Sequence, residues 1–123
     1  MVATMEKSTS SLIQKGNPNQ TCIDACVICA QICQECLNMC LQEEDVKARV
    51  DCIKTLQDCT EICVLTAGYM SRSSGNIKNI CNVCATICEK CATECDSFQD
   101  QHCQTCAGTC NLCATECKSM GNM

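Results

Sequence analysis

The sequence contains no tryptophan, one phenylalanine (Phe98), one tyrosine (Tyr69), one proline (Pro18) and one histidine (His102). Aromatic side chains normally supply much of a core's burial, so an ordinary aromatic-anchored core is excluded. Positive charge is also scarce. Nine Lys and Arg against 14 Asp and Glu give a formal charge of −5, with no basic cluster. That excludes the electrostatic footprint of proteins that bind nucleic acid or anionic membranes. The first residues, MVATMEKSTSSLIQKGNPNQ, lack an apolar run of signal-peptide length with a small-residue cleavage pattern. No later stretch approaches the roughly 18 apolar residues of a membrane span. A Ser/His/Asp set, a phosphate loop and a dinucleotide fingerprint are missing. These absences predict a cytoplasmic, non-enzymatic protein with neither a nucleic-acid nor a membrane partner.

What the chain does have is cysteine, 19 in 123 residues. The remaining apolar residues are mostly Ala, Ile, Leu and Val, so the core must include the cysteines, which behave as small, soft hydrophobes when reduced. Their spacing is helical. Cys22, Cys26, Cys29, Cys33, Cys36 and Cys40 step by 4, 3, 4, 3, 4. Cys81, Cys84, Cys88, Cys91 and Cys95 step by 3, 4, 3, 4, and so do Cys103, Cys106, Cys110, Cys113 and Cys117. Alternating threes and fours draw one stripe on an α-helix, as at heptad positions a and d; a strand would need a period of two. A sparser group, Cys52, Cys59 and Cys63, fits the same stripe when completed by Asp45, Arg49, Leu56, Thr66 and Met70. Segments 26–40, 81–95 and 103–117 superpose without gaps as C-x-x-C-A-x-x-C-x-x-C-x-x-x-C, an internal repeat.

The spacing predicts helices at about 18–42, 45–72, 76–97 and 100–120, the first opened by Asn17 as N-cap with Pro18 at the first helical position. Links this short force antiparallel neighbours. The expected fold is all-α: an up-down-up-down antiparallel four-helix bundle with a cysteine-lined core over 18–123. The N-terminal segment 1–17 is expected to add a short helix over 4–15. Outward faces carry Asp24, Gln31, Gln34, Glu35, Lys54, Asp58, Glu61, Glu89, Lys90 and Glu94. One bundle end gathers Met39, Cys40, Asp45, Arg49, Cys52, Cys95, Phe98, His102 and Cys103. The other gathers Cys22, Thr66, Met70, Ile77, Cys81, Cys117 and Met120.

Cβ atoms three or four residues apart on a helix lie about 5–6 Å from each other, whereas a disulfide needs roughly 3.5–4.5 Å. Pairs such as Cys22/Cys26 are therefore poorly placed for a bond but well placed for a shared metal ion. A reducing cytosol points the same way. Charge then favours Cu(I), a soft ion that accepts two or three thiolates and leaves the interior nearly neutral at one ion per cysteine. Several zinc Cys₄ sites would each bury a net −2. Other readings stand beside this one: inert core thiols, a disulfide scaffold, a zinc or cadmium buffer of metallothionein type, and an iron–sulfur electron-transfer protein, although cluster ligands usually come from loops. Met39, Met70 and Met120 offer thioethers, with packing as their simpler role.

The three repeated stripes, the segment DCTEIC (58–63) followed by LTAGYMSR, and HCQTCAGTCNLCATEC at 102–117 resemble the bacterial copper storage proteins over about residues 20–120. The resemblance is to the branch lacking a signal peptide. It implies a four-helix bundle, usually assembled as a homotetramer, that binds many Cu(I) ions in the cytosol; a copper chaperone is the candidate donor. It also implies that the stripe cysteines, Cys22 through Cys117, are the ligands. His102 matches a histidine beside the first cysteine of the last helix, where incoming copper binds. Other residues at that mouth vary among members, and here Arg49 stands on the second stripe beside it.

Overall fold

The computed structural model describes residues 16–123, so the helix expected over 4–15 lies outside the described residues. The helices are α1 (Gln20–Cys40), α2 (Val50–Ser71), α3 (Ile77–Asp96) and α4 (Gln101–Gly121), with a 3₁₀ turn, Val46–Arg49, leading into α2. Among the described residues there is no strand.

Both early boundaries differ from the expected ones, for local reasons. Asn17 does not cap a helix that starts at Pro18. Its Oδ1 accepts the Asn19 N–H at 2.8 Å and its carbonyl accepts the Gln20 N–H at 3.0 Å, an Asx turn that delays α1 to Gln20. The second helix was expected from residue 45. Instead the chain tightens first, with Ala48 N–H donating to Asp45 O at 2.9 Å, and α-helical geometry begins at Val50.

Each helix packs on its sequence neighbours, and α4 closes the ring against α1. The buried side chains follow the stripes: every cysteine, plus Arg49, Leu56, Thr66 and Met70 where α2 departs from cysteine. Asp45, the remaining member of that stripe, is exposed. Ala30, Ala85, Ala92, Ala107 and Ala114 are buried beside the stripe, and their methyl-sized side chains let the helices approach closely. Contrary to the sequence expectation about membrane spans, α1 is long and apolar enough to cross one by length and composition, at a mean hydropathy of 1.2. Much of that apolarity is the cysteine stripe, and the stripe faces the other three helices.

α2 ends in a Schellman arrangement. Ser73 N–H donates to Met70 O at 3.2 Å and Ser74 N–H to Tyr69 O at 3.0 Å, with Ser73 at φ 52° in the left-handed region. Serine pays a steric penalty there that glycine does not. Ser73→Gly should therefore stabilise the metal-free protein by about 0.5–1 kcal/mol in a denaturant melt; a loss of stability would show that the serine side chain contributes something the backbone geometry does not reveal.

Candidate metal centre

The heptad stripes aim all 19 cysteines inward. Each is at most 2% exposed, and all are free thiols. Most of their sulfurs lie 3.7–4.0 Å from another, in a column that crosses from helix to helix. Cys22 and Cys26 each lie 3.8 Å from Cys117, and Cys113 lies 3.8 Å from Cys26. The path continues through Cys63, which is 3.9 Å from Cys113 and 3.8 Å from both Cys84 and Cys88. Cys88 to Cys59 is 3.7 Å, Cys59 to Cys29 3.9 Å and Cys29 to Cys110 3.8 Å. Cys33 then lies 3.7 Å from Cys110 and 3.9 Å from Cys106. Nearer the other end, Cys52 and Cys95 are 3.8 Å apart, and Cys40 and Cys103 likewise 3.8 Å.

A disulfide requires about 2.05 Å between sulfurs, so none of these contacts is a bond. A metal about 2.3 Å from each of two sulfurs separates them by roughly 3.8 Å at a tetrahedral angle and 4.6 Å when linear. The observed spacing therefore admits an ion between neighbouring thiols with little movement. Several four-donor groups have all donor atoms within 4.8 Å of one another: Cys26/Cys63/Cys84/Cys113, Cys29/Cys33/Cys59/Cys110 and Cys33/Cys91/Cys106/Cys110 among them.

Burial governs the protonation of the column's ends. Removal from water pushes the Cys81 thiol up to about 12, reinforced by Cys22 and Cys84, and pushes Cys103 up to about 12, reinforced by Cys40. Both thiols are thus neutral when empty; burial prevails even at Cys103, whose sulfur lies 3.5 Å from Arg49 Nη1. The sign for stability follows. In the unfolded chain a thiol ionises near 8.5, so above that pH the unfolded state binds fewer protons than the folded one. The metal-free bundle should keep its full stability below about pH 8.5 and lose it progressively toward pH 12. Chemical denaturation of the reduced protein at several pH values checks this; a midpoint that rises across the same range would contradict it.

The two column ends differ. At the α1–α2 and α3–α4 turns, His102 Nδ1 lies 3.5 Å from both Cys36 Sγ and Cys103 Sγ, and its Nε2 lies 3.5 Å from Glu43 Oε2. Cys36, Cys40, His102 and Cys103 form a mixed sulfur and nitrogen donor group. Beside it sits Arg49, only 4% exposed. Burial opposes its charge, yet hydrogen bonds to Asp45 and Asp100 hold it firmly protonated. In return the Arg49 guanidinium holds the Asp100 carboxyl below the usual carboxylate range. Met39, expected at this end, is 47% exposed and turns away from the sulfurs, because it lies one position off the stripe that Cys40 occupies. At the opposite end, Met70 is fully buried with its Sδ 4.0 Å from Cys81 Sγ, Ile77 and Met120 pack partly buried against the core, and Thr66 Oγ1 is buried without a hydrogen-bond partner.

Glu43 and Asp100 were not picked out from the sequence as part of this end. They stand in the links, outside any heptad register, and only folding brings them to Arg49. The one hint was a buried-register arginine, which must find carboxylates somewhere.

A family model described as copper storage protein matches residues 15–122. The chain belongs to the copper storage protein family. Its structure is similar to that of the Cu(I)-bound copper storage protein BsCsp3, with a TM-score of 0.80 and 40% identity, covering 83% of this chain and 96% of that one. It is also similar to a cytosolic copper storage protein from Streptomyces lividans solved with five coppers, at a TM-score of 0.80 and 34% identity over 83% of this chain and 90% of that one. Among curated sequences, the uncharacterized cysteine-rich protein YhjQ of Bacillus subtilis is 40% identical over 67 residues, or 54% of this chain. That match spans 62% of the relative's length. The copper storage fold thus rests on more than the repeated cysteines, since the structural matches extend over the loops and the cysteine-poor α2.

Proposed function

We propose that this copper storage protein holds many Cu(I) ions along its axis, with all 19 cysteine thiolates as ligands and His102 as a ligand at the mouth. The observation that carries the reading is the column of buried free thiols, in which groups of sulfurs spaced at 3.7–4.0 Å follow one another along the bundle axis. The four-thiol groups would also suit zinc by geometry, so charge makes the distinction. Among the described residues Arg49 is the only buried cation, and it stands at one end, already paired with carboxylates. Several dianionic zinc–tetrathiolate sites would leave most of their charge uncompensated in a medium where that is costly. Bridging thiolates at one Cu⁺ each avoid the problem.

The same reading assigns no catalytic step to the protein and places it in the cytosol, as the Streptomyces relative is described. Copper would arrive as a weak or chaperone-held complex. Assembly as a homotetramer is supported by the large apolar side chains that the outer faces of the helices expose. Val27, Ile28, Val64 and Leu65 are exposed, and Leu112 is 70% exposed. Light scattering of the reduced protein should give four times the chain mass; a monomer would remove that part of the reading.

The mouth is placed at the His102 end because its donors are mixed and partly accessible, whereas Ile77, Met70 and Met120 make the far end an apolar plug. His102→Ala should slow stopped-flow uptake from a weak Cu(I) donor several-fold while leaving capacity almost unchanged, since the storage thiols are intact. Met120→Leu should change neither. Parent-like kinetics in the first variant and slow kinetics in the second would put the mouth at the other end.

A further inference from the structure

We propose that Arg49 is a gate: its guanidinium lies across the His102 end of the cysteine column and must swing aside each time Cu(I) enters or leaves. This rests on the mouth being at that end. The guanidinium contacts the same sulfurs that an arriving ion would need, with Nη1 3.5 Å from Cys103 Sγ and 3.8 Å from Cys40 Sγ. It is braced from the other side by Asp45 at 2.7 Å from Nε, Asp100 at 2.6 Å from Nη1 and Glu43 at 3.6 Å from Nη2. The Phe98 ring lies under it, 4.4 Å from Cζ to the ring centroid. The three carboxylates are partly exposed while the sulfurs are buried. The guanidinium is therefore interposed between solvent-facing anions and the first thiols of the column.

The guanidinium opposes a cation by its charge as well as by its bulk, in both directions, so it must leave the path for the ion to pass. Arg49 also occupies a stripe position where the repeated helices carry cysteine, so a thiol has been exchanged for a charge at the one place where traffic passes. Its backbone belongs to the 3₁₀ turn that leads into α2 rather than to α2 itself. Thiolate ligands are untouched by the swing, so the gate sets rates and not capacity.

The test compares the parent with Arg49→Ala, Arg49→Lys and Asp45→Asn, all fully reduced. Uptake from a weak Cu(I) donor and removal by an excess of a tight Cu(I) chelator are followed by stopped flow, with copper and thiol quantified at the end. The expected result for Arg49→Ala is acceleration of both uptake and removal by about tenfold, the effect of one lost braced contact on a barrier, at unchanged capacity. Asp45→Asn keeps the charge but loosens the brace and should accelerate both steps less. Arg49→Lys loses the fork and should fall between these two. Uptake or removal in Arg49→Ala that is unchanged or slower overturns the gate, as does a lower capacity, which would make Arg49 a support for the cluster. If Arg49→Ala does not fold, unchanged rates in Asp45→Asn overturn it instead. Slowed loading in His102→Ala alongside parent rates in Arg49→Ala rejects the gate alone, whereas parent rates in both variants reject the mouth as well.

Discussion

Anaerobic titration of the reduced protein with Cu(I) is expected to saturate at a copper-to-cysteine ratio near one, within about 20 per cent. The basis is the close spacing of the sulfurs along the column. In an isolated Cys₄ site each sulfur serves one ion, and the ratio cannot exceed about a quarter. Here most sulfurs have two or more sulfur neighbours at 3.7–4.0 Å; Cys63 alone touches Cys84, Cys88 and Cys113. Thiolates with two such neighbours can bridge, and an ion bound by two or three of them shares each with the next. Neutral thiols lose a proton when they take up the ion, so loading should also acidify a weakly buffered solution in proportion to the thiolates recruited. Metal and thiol quantified in the same sample give the answer. Saturation near a quarter, with zinc competing effectively, would move the protein to the tetrathiolate buffers and sink the copper assignment of the ligands.

The second large effect concerns stability without metal and with it. The reduced, metal-free protein should give a strongly helical circular dichroism spectrum and melt cooperatively. Its column is lined by neutral thiols that bury like small apolar groups, the four stripes close on one another, and the short links already dictate the pairing of neighbours. Loading should then raise the melting midpoint by more than about 15 °C. An ion present at a thousand times its dissociation constant contributes about 4 kcal/mol, and each kcal/mol is worth roughly 4 °C at this chain length. A random-coil spectrum that turns helical only when copper is added would contradict the first half. The protein would then belong with metal-folded chains, in which the ion supplies the folding free energy.

Much of this protein is legible in its sequence, and the reason is periodicity. Sixteen of the 19 cysteines stand in three unbroken stripes, and a stripe of alternating threes and fours is compatible with one helix face and nothing else. The same register identified Leu56, Thr66 and Met70 as interior positions of α2, although none is cysteine, and all three are buried. Helix count, antiparallel order and the soft-donor character of the core follow from residues a few positions apart, so a linear reading reaches them. What periodicity does not encode is how far one stripe lies from the next. The 3.7–4.0 Å spacing between sulfurs on different helices comes from the helices closing over small residues such as Ala85 and Ala107. The His102 end was legible as a set of residues but not in its contacts, for the same reason. Met39 and Cys40 are adjacent in sequence, yet one is exposed and the other buried. Glu43, Asp45 and Asp100 come from two separate links and meet only at Arg49. A link has no repeating register, so the direction of its side chains is decided by what they meet in space, here a buried guanidinium whose charge must be paired.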